Sequence, residues 1–152
     1  MEKEYFEFKE NEVEYKLKAV KKDFKRAKIT SSIDASQYAR QFYHDDISIY
    51  ESAFVLLTNR SNNTVGFAKI SQGGIAGTVV DIKLVLKYAI ENLASGIIFF
   101  HNHPSGNLMP SNEDRMLSVR IKEAAKLMDV TLIDSIILTE DGYYSFADEK
   151  MI

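Results

Sequence analysis

An α/β domain, with a central mixed sheet packed by helices, is predicted by three observations. Segments of period-two apolar patterning interleave along the chain with three segments of helical period. The 152 residues are 45% hydrophobic and 11% aromatic, enough to bury a core of single-domain size. No repeat, low-complexity run or clear linker divides them.

Taken in order, residues 12–20 alternate, with Val13, Tyr15, Leu17 and Ala19 on one face and charge on the other, as in a half-buried strand. Ser32-Ile33-Asp34-Ala35 reads as a helix start, and Tyr38, Ala39 and Phe42 carry helical spacing towards His44. His44 then stands as a charge partner at the helix C-terminus. Residues 50–58 form a strand apolar on both faces, with Glu51 on the face of Ala53 and Val55. A polar turn at 59–63 leads to a paired strand at 64–71, closed by Gly73-Gly74. Thr78 and Asp81 resemble a capping box before a helix whose core stripe is Ile82, Val85, Leu86, Ala89, Ile90 and Leu93, stopped at Gly96.

The run 97–100 is a short buried strand that delivers His101, and residues 104–110 form a loop. A second long helix spans 111–128 with Leu117, Ile121, Ala124 and Met128 inward. Strands at 130–138 and 143–146 flank an Asp141-Gly142 turn.

Composition narrows the function. Without cysteine there is no disulfide, thiolate ligand or thiol nucleophile, which fits a reducing cytoplasm. No apolar stretch approaches the roughly 18 residues of a membrane span, and the acidic N-terminal residues lack a signal-peptide core. The net charge of −3 is not that of an obligate nucleic-acid binder. Its distribution is uneven: Lys16, Lys18, Lys21, Lys22, Lys25, Arg26 and Lys28 face only Asp23 within residues 16–28. This strip is either a solvated surface or an attractor of phosphate or an acidic partner.

The chemistry gathers at His101-Asn102-His103-Pro104-Ser105-Gly106. Alternation in a strand points His101 and His103 the same way. Ser111 and Asp114 follow at the start of the next helix, so two imidazoles and a carboxylate can grip one Zn²⁺ and leave a fourth position open. A metal-activated water still needs a base that is not itself a ligand, and Glu51 is the candidate. Ser111 is the candidate donor to a tetrahedral oxyanion. Duller readings stand beside these. The histidines could bond backbone, and Glu51 could be a strand-end acid. Ser111-x-x-Asp114 is itself a capping box, and one Asp114 oxygen cannot both cap and hold metal.

Glu51, His101-x-His103, seven residues, then Ser111-x-x-Asp114 resembles the JAMM motif of the JAB/MPN metalloprotease family. The His-Asn-His-Pro-Ser-Gly form, residues 74–81, Leu132-Ile133-Asp134 and residues 142–146 resemble its RadC-like branch. The likeness covers residues 30–152 and leaves 1–29 as a charged, strand-like extension. It implies a cytidine-deaminase-like α/β fold, one zinc per chain on His101, His103 and Asp114, Glu51 as acid/base and Ser111 at the oxyanion. The activity implied is cleavage of a peptide or isopeptide bond in a peptide or protein substrate. Deaminase chemistry itself needs cysteines that this chain lacks.

The chain departs from the family pattern at two positions. It has Asp134-Ser135 where the family has Asp-His, and Ser118 where it has threonine. The DNA-repair label often given to the branch draws nothing from these residues, and the first thirty show no glycine-rich helix-hairpin-helix turns. The competing class is a non-catalytic module that binds metal structurally, or binds a DNA or protein partner through the strip from Lys16 to Lys28.

Overall fold

In a computed structural model that describes residues 24–43, 46–74 and 79–152, the elements follow in the order α1 (Ser32–Ala39), a 3-10 turn (Arg40–Phe42), β1 (Ser52–Thr58), β2 (Thr64–Gln72), α2 (Ile82–Glu91), β3 (Gly96–Asn102), α3 (Asn112–Leu127), β4 (Thr131–Leu138) and β5 (Tyr143–Ser145). The strands form one sheet in the order β2-β1-β3-β4-β5. Only β3 and β4 run parallel; the other neighbours are antiparallel. A parallel pair needs a crossover, and α3 supplies it. The fold is therefore the mixed, helix-packed α/β sheet that the patterning predicts.

Alternation sorts the side chains into two cores. Ala53, Val55, Leu57, Ile97 and Phe99 pack with Val85 and Ala89 of α2 and Ile121 and Ala125 of α3. Phe54, Leu56, Ile98, Phe100, Ile136 and Leu138 pack with Ala35, Ala39 and Phe42 on the side of α1. Both β1 and β3 are buried along their whole length, as their two-sided apolar runs require. Removing a Phe such as Phe99 from water contributes about 1.5–3 kcal/mol.

Residues 24–29 pack back onto the domain. Phe24 stacks on Phe67 with ring centroids 5.3 Å apart, and Ile29 is buried. The strand expected at 12–20, the role of His44 and the cap at Thr78 all fall outside the described residues.

Four expectations need correction. Asp81 is itself the N-cap of α2, its carboxylate accepting from the Lys83 amide at 2.9 Å. The α2 stripe fails at its end, because Ile90 is exposed and Leu93 is 86% exposed. The helix closes at Asn92, and Leu93 turns into the left-handed region with φ +49°. Gly96 therefore does not stop α2 but opens β3. A Cβ there would lie 2.5 Å from Ile133 Cδ1 and 2.7 Å from Thr58 Oγ1, so glycine permits the close packing of β3 between β1 and β4. In α3 Leu117 and Ile121 pack inward as expected, joined by the buried Ser118 and Ala125, while Met128 sits at the exposed C-cap. Helical spacing alone could not choose between Ala124 and Ala125.

Candidate metal centre

The site is assembled by strand register. Ala53 of β1 pairs with His101 of β3 in an antiparallel ladder. Glu51 lies two residues before Ala53 and His103 two after His101, so the antiparallel ladder carries both to the same end of the sheet. Glu51 and the two histidines lie on one face because each pair is two residues apart. Their ligand atoms all fall within 4.8 Å of one another, a grouping that can hold a metal ion. Local sequence could not join Glu51 to residues fifty positions later; the pairing of β1 with β3 does so.

The fourth group comes from α3. Asp114 Oδ1 lies 3.2 Å from His101 Nε2, and Asp114 Oδ2 lies 3.2 Å from His103 Nε2. The two Nε2 atoms are themselves 3.2 Å apart. Donors about 2.0–2.1 Å from a tetrahedral ion stand roughly 3.3 Å from one another, and the Nε2–Nε2 pair and the His101 Nε2–Asp114 Oδ1 pair both meet that spacing. Two imidazoles and a carboxylate also make a donor set suited to a borderline cation such as zinc. The residues therefore fit a metal ion.

The capping box at the start of α3 is real as well. Ser111 Oγ accepts from the Asp114 amide at 3.0 Å, and Asp114 Oδ2 accepts from the Ser111 amide at 2.8 Å. The expected conflict between capping and metal binding is resolved by dividing the carboxylate. Oδ2 caps, and Oδ1 is left to face His101. Ser111 itself is exposed at the helix start.

The loop after β3 orients His103. Its Nδ1 lies 2.6 Å from the Asn107 carbonyl. A carbonyl only accepts, so Nδ1 carries the proton and Nε2 presents its lone pair in the neutral ring. Gly106, at φ +84°, makes the turn, with its amide donating to the His103 carbonyl at 3.0 Å. His101 is 3% exposed, and its Nδ1 has no partner among the described residues.

Electrostatics follow from this convergence. Burial pushes Asp114 up, but hydrogen bonds from His101 and His103 and from the Ser111 amide hold it well below the usual carboxylate range. The hydrogen bond to Asp114 raises His103 above its ordinary value, against burial and with help from the Asn107 carbonyl. Burial raises the half-buried Glu51 carboxyl, against the pull of His101 and His103 and with a further push from Asp114. Lone pairs meeting at 3.2 Å call for a cation between them, and a proton on imidazole is the least that will serve.

Sequence reasoning passed over Asn107, whose only signal is its place in a turn, and Asn102, which looks like a spacer between two histidines. The two departures noted above meet: Ser118 Oγ donates to Ser135 Oγ at 2.9 Å in the buried layer between α3 and β4. Beside the site, a cavity of about 330 Å³ lies between the loop at Pro104, Ser105 and Leu108 and the turn at Glu140, Asp141 and Gly142. The Arg40 guanidinium braces that turn, donating to the carbonyls of Thr139 at 2.9 Å and Gly142 at 3.1 Å.

A mixed α/β sheet that gathers Glu51, two strand-end histidines and a helix-start aspartate defines a JAB-type domain with a possible metal site. The family model of the RadC-like JAB domain matches residues 29–151, and the chain belongs to that family. A UPF0758 protein of Flavobacterium johnsoniae is 46% identical over 125 residues, which cover 82% of this chain and 54% of that protein. One from Porphyromonas gingivalis is 42% identical over 103 residues, covering 67% of this chain and 45% of its own length. One from Thermotoga maritima is 32% identical over 122 residues, covering 80% and 54%. The chain thus spans about half the length of these relatives, whose names state no activity. No helix among the described residues is long and apolar enough to cross a membrane.

Proposed function

We propose that this chain is a zinc-dependent hydrolase that cleaves a peptide or isopeptide bond. The observation that carries the reading is the set of three 3.2 Å separations among His101, His103 and Asp114, with Glu51 on the same face. A structural metal site fills its fourth position with protein, whereas three ligands with a carboxylate beside them leave room for water and substrate.

Held by His101, His103 and Asp114, one zinc per chain would act as a Lewis acid and lower the pKa of a water from about 15.7 to about 7. With the metal bound, Glu51 would take the proton from the attacking water and return it to the leaving nitrogen. Burial raises the affinity of Glu51 for a proton, the direction that suits a group which must take up a proton before it passes it on. Ser111 Oγ accepts from the Asp114 amide, so its own proton is available to donate to the oxygen that becomes negative. A cytoplasmic setting fits a chain without cysteine.

The test is Glu51→Gln in the zinc-loaded chain, assayed on a fluorescence-quenched peptide mixture and an isopeptide-linked peptide pair. Turnover should fall by about 10²–10⁴-fold with zinc content unchanged. Parent-level turnover in the variant would overturn the mechanism, and no turnover by the parent would overturn the assigned activity.

A second reading, a nucleic-acid or protein-binding module, draws on the exposure of Lys25, Arg26 and Lys28. It requires a DNA affinity that falls steeply with salt and is lost when those three are neutralised.

A further inference from the structure

We infer that Asn102, the residue between the two histidines, is the positioning residue for Glu51. It is fully buried, and its side chain lies on the sheet face opposite His101 and His103. There its carboxamide is completely used. Oδ1 accepts from the Ser52 amide at 2.7 Å, while Nδ2 donates to the Tyr50 carbonyl at 2.7 Å and the Ile47 carbonyl at 2.6 Å. Those partners bracket Glu51 on both sides. The orientation of the amide is forced, since carbonyls only accept and an N–H only donates.

Other bonds complete the frame. The Glu51 carbonyl accepts from the Gly73 amide at 2.8 Å, and the Ser52 carbonyl accepts from the Tyr43 hydroxyl at 3.0 Å. Glu51 itself stands one residue before β1, held on the β2 side by the Gly73 amide but beyond the last β1–β3 pair, Ala53 with His101. Asn102 supplies the tie on the β3 side, and it does so from the same three residues that carry both imidazoles. One short stretch of β3 thereby sets the metal ligands on one face and the height of the carboxylate from the other. Aspartate lacks the two N–H donors, and serine lacks the reach and the second donor, so neither can replace the amide.

The inference rests on Glu51 acting at the metal, and its test separates the two. Cobalt(II) alone is the probe, read by the visible absorption of the cobalt-loaded chain. Glu51→Gln should change the band, because a carboxylate at the ion or its water is lost. Asn102→Asp and Asn102→Ser should reproduce that change while cobalt affinity stays within about threefold of the parent, smaller than the 10–100-fold typical when support of a ligand is removed. Tyr144→Phe, remote from the clamp, should leave the spectrum as it is. Asn102 variants with the parent's spectrum, beside an altered Glu51→Gln, would overturn the positioning role and leave Glu51 at the metal. An unaltered Glu51→Gln would overturn the placement of Glu51 itself. Should neither Asn102 variant fold, hydrogen exchange in the parent decides. The Ser52 amide, bonded to the Asn102 side chain, must be protected at least about 100-fold over its free rate, and unprotected exchange there would overturn the clamp.

Discussion

Asp114 and Asp134 are both withdrawn from water beside the same central strands, and they have opposite fates. Asp134, on β4, is 5% exposed and receives only neutral donors: the amides of Ser135 at 2.7 Å and Ala147 at 3.0 Å, and the Ser145 hydroxyl. Burial wins, and its carboxyl is raised. Asp114 faces two imidazole nitrogens as well as its cap, and it is lowered. The contrast teaches that burial of a carboxylate does not make a site. At Asp134 the donors match the acceptors, and the group is closed to ligands. At Asp114 the acceptors of three side chains converge with too few protons among them, which leaves room for a cation.

The largest expected effect would break this comparison directly. His103→Ala or Asp114→Asn should lower zinc affinity by more than the roughly 100-fold upper range for loss of an outer-shell partner, measured by competition with a chromophoric chelator. Asp134→Asn should leave zinc affinity unchanged. Equal losses at Asp114 and Asp134 would mean that the two carboxylates support the fold alike and that the cradle is not a metal site.

Stability should divide the other way. Asp134→Ala strands the Ser145 hydroxyl and the Ala147 amide, at a cost of about 1–3 kcal/mol for each donor left unpaired. Asp114→Ala in the metal-free chain removes half of a capping box and should cost only about 0.5–2 kcal/mol. Urea titrations of the two variants without metal would compare them. A larger loss at Asp114 would show that the closed and open carboxylates have been assigned the wrong way round.

The same contrast marks what could be read from the sequence. The doubly apolar runs of β1 and β3, the alternating cores and the spacing from His101 to Asp114 are short-range patterns, and periodicity exposes them. What ties Glu51 into the site is a register between strands more than forty residues apart, which no local pattern encodes. Asn102 acts on backbone groups of other residues and Asn107 through its own backbone carbonyl, so their identity alone gave no signal. The end of α2 misled because Ile90 and Leu93 continue the apolar spacing after the helix has turned away from the sheet. The sequence sets Asp134 in a strand and in the family pattern but does not show that it is closed, since its partners Ser145 and Ala147 come from β5 and the residues just after it.

The smallest effect is a pH dependence that the closed carboxylate should show. Asp134 has its folded-state pKa raised above the unfolded value, chiefly by burial. Its contribution to stability is therefore fully present below the unfolded pKa, about 3.9, and is lost as pH rises through the raised folded value. The cause is plain: above that pH the folded chain must hold a buried anion that the unfolded chain hydrates freely. Unfolding free energies of the metal-free parent and of Asp134→Asn, measured from pH 4 to pH 7, isolate this from every other group by difference. The parent should lose stability relative to the variant as pH rises across that window. A flat difference would mean that the three neutral donors cancel the burial penalty on the anion, and the opposite slope that they exceed it. With the opposite slope Asp134 would resemble Asp114 in sign, and in either case the distinction between a closed carboxylate and an open one would have to rest on metal affinity alone.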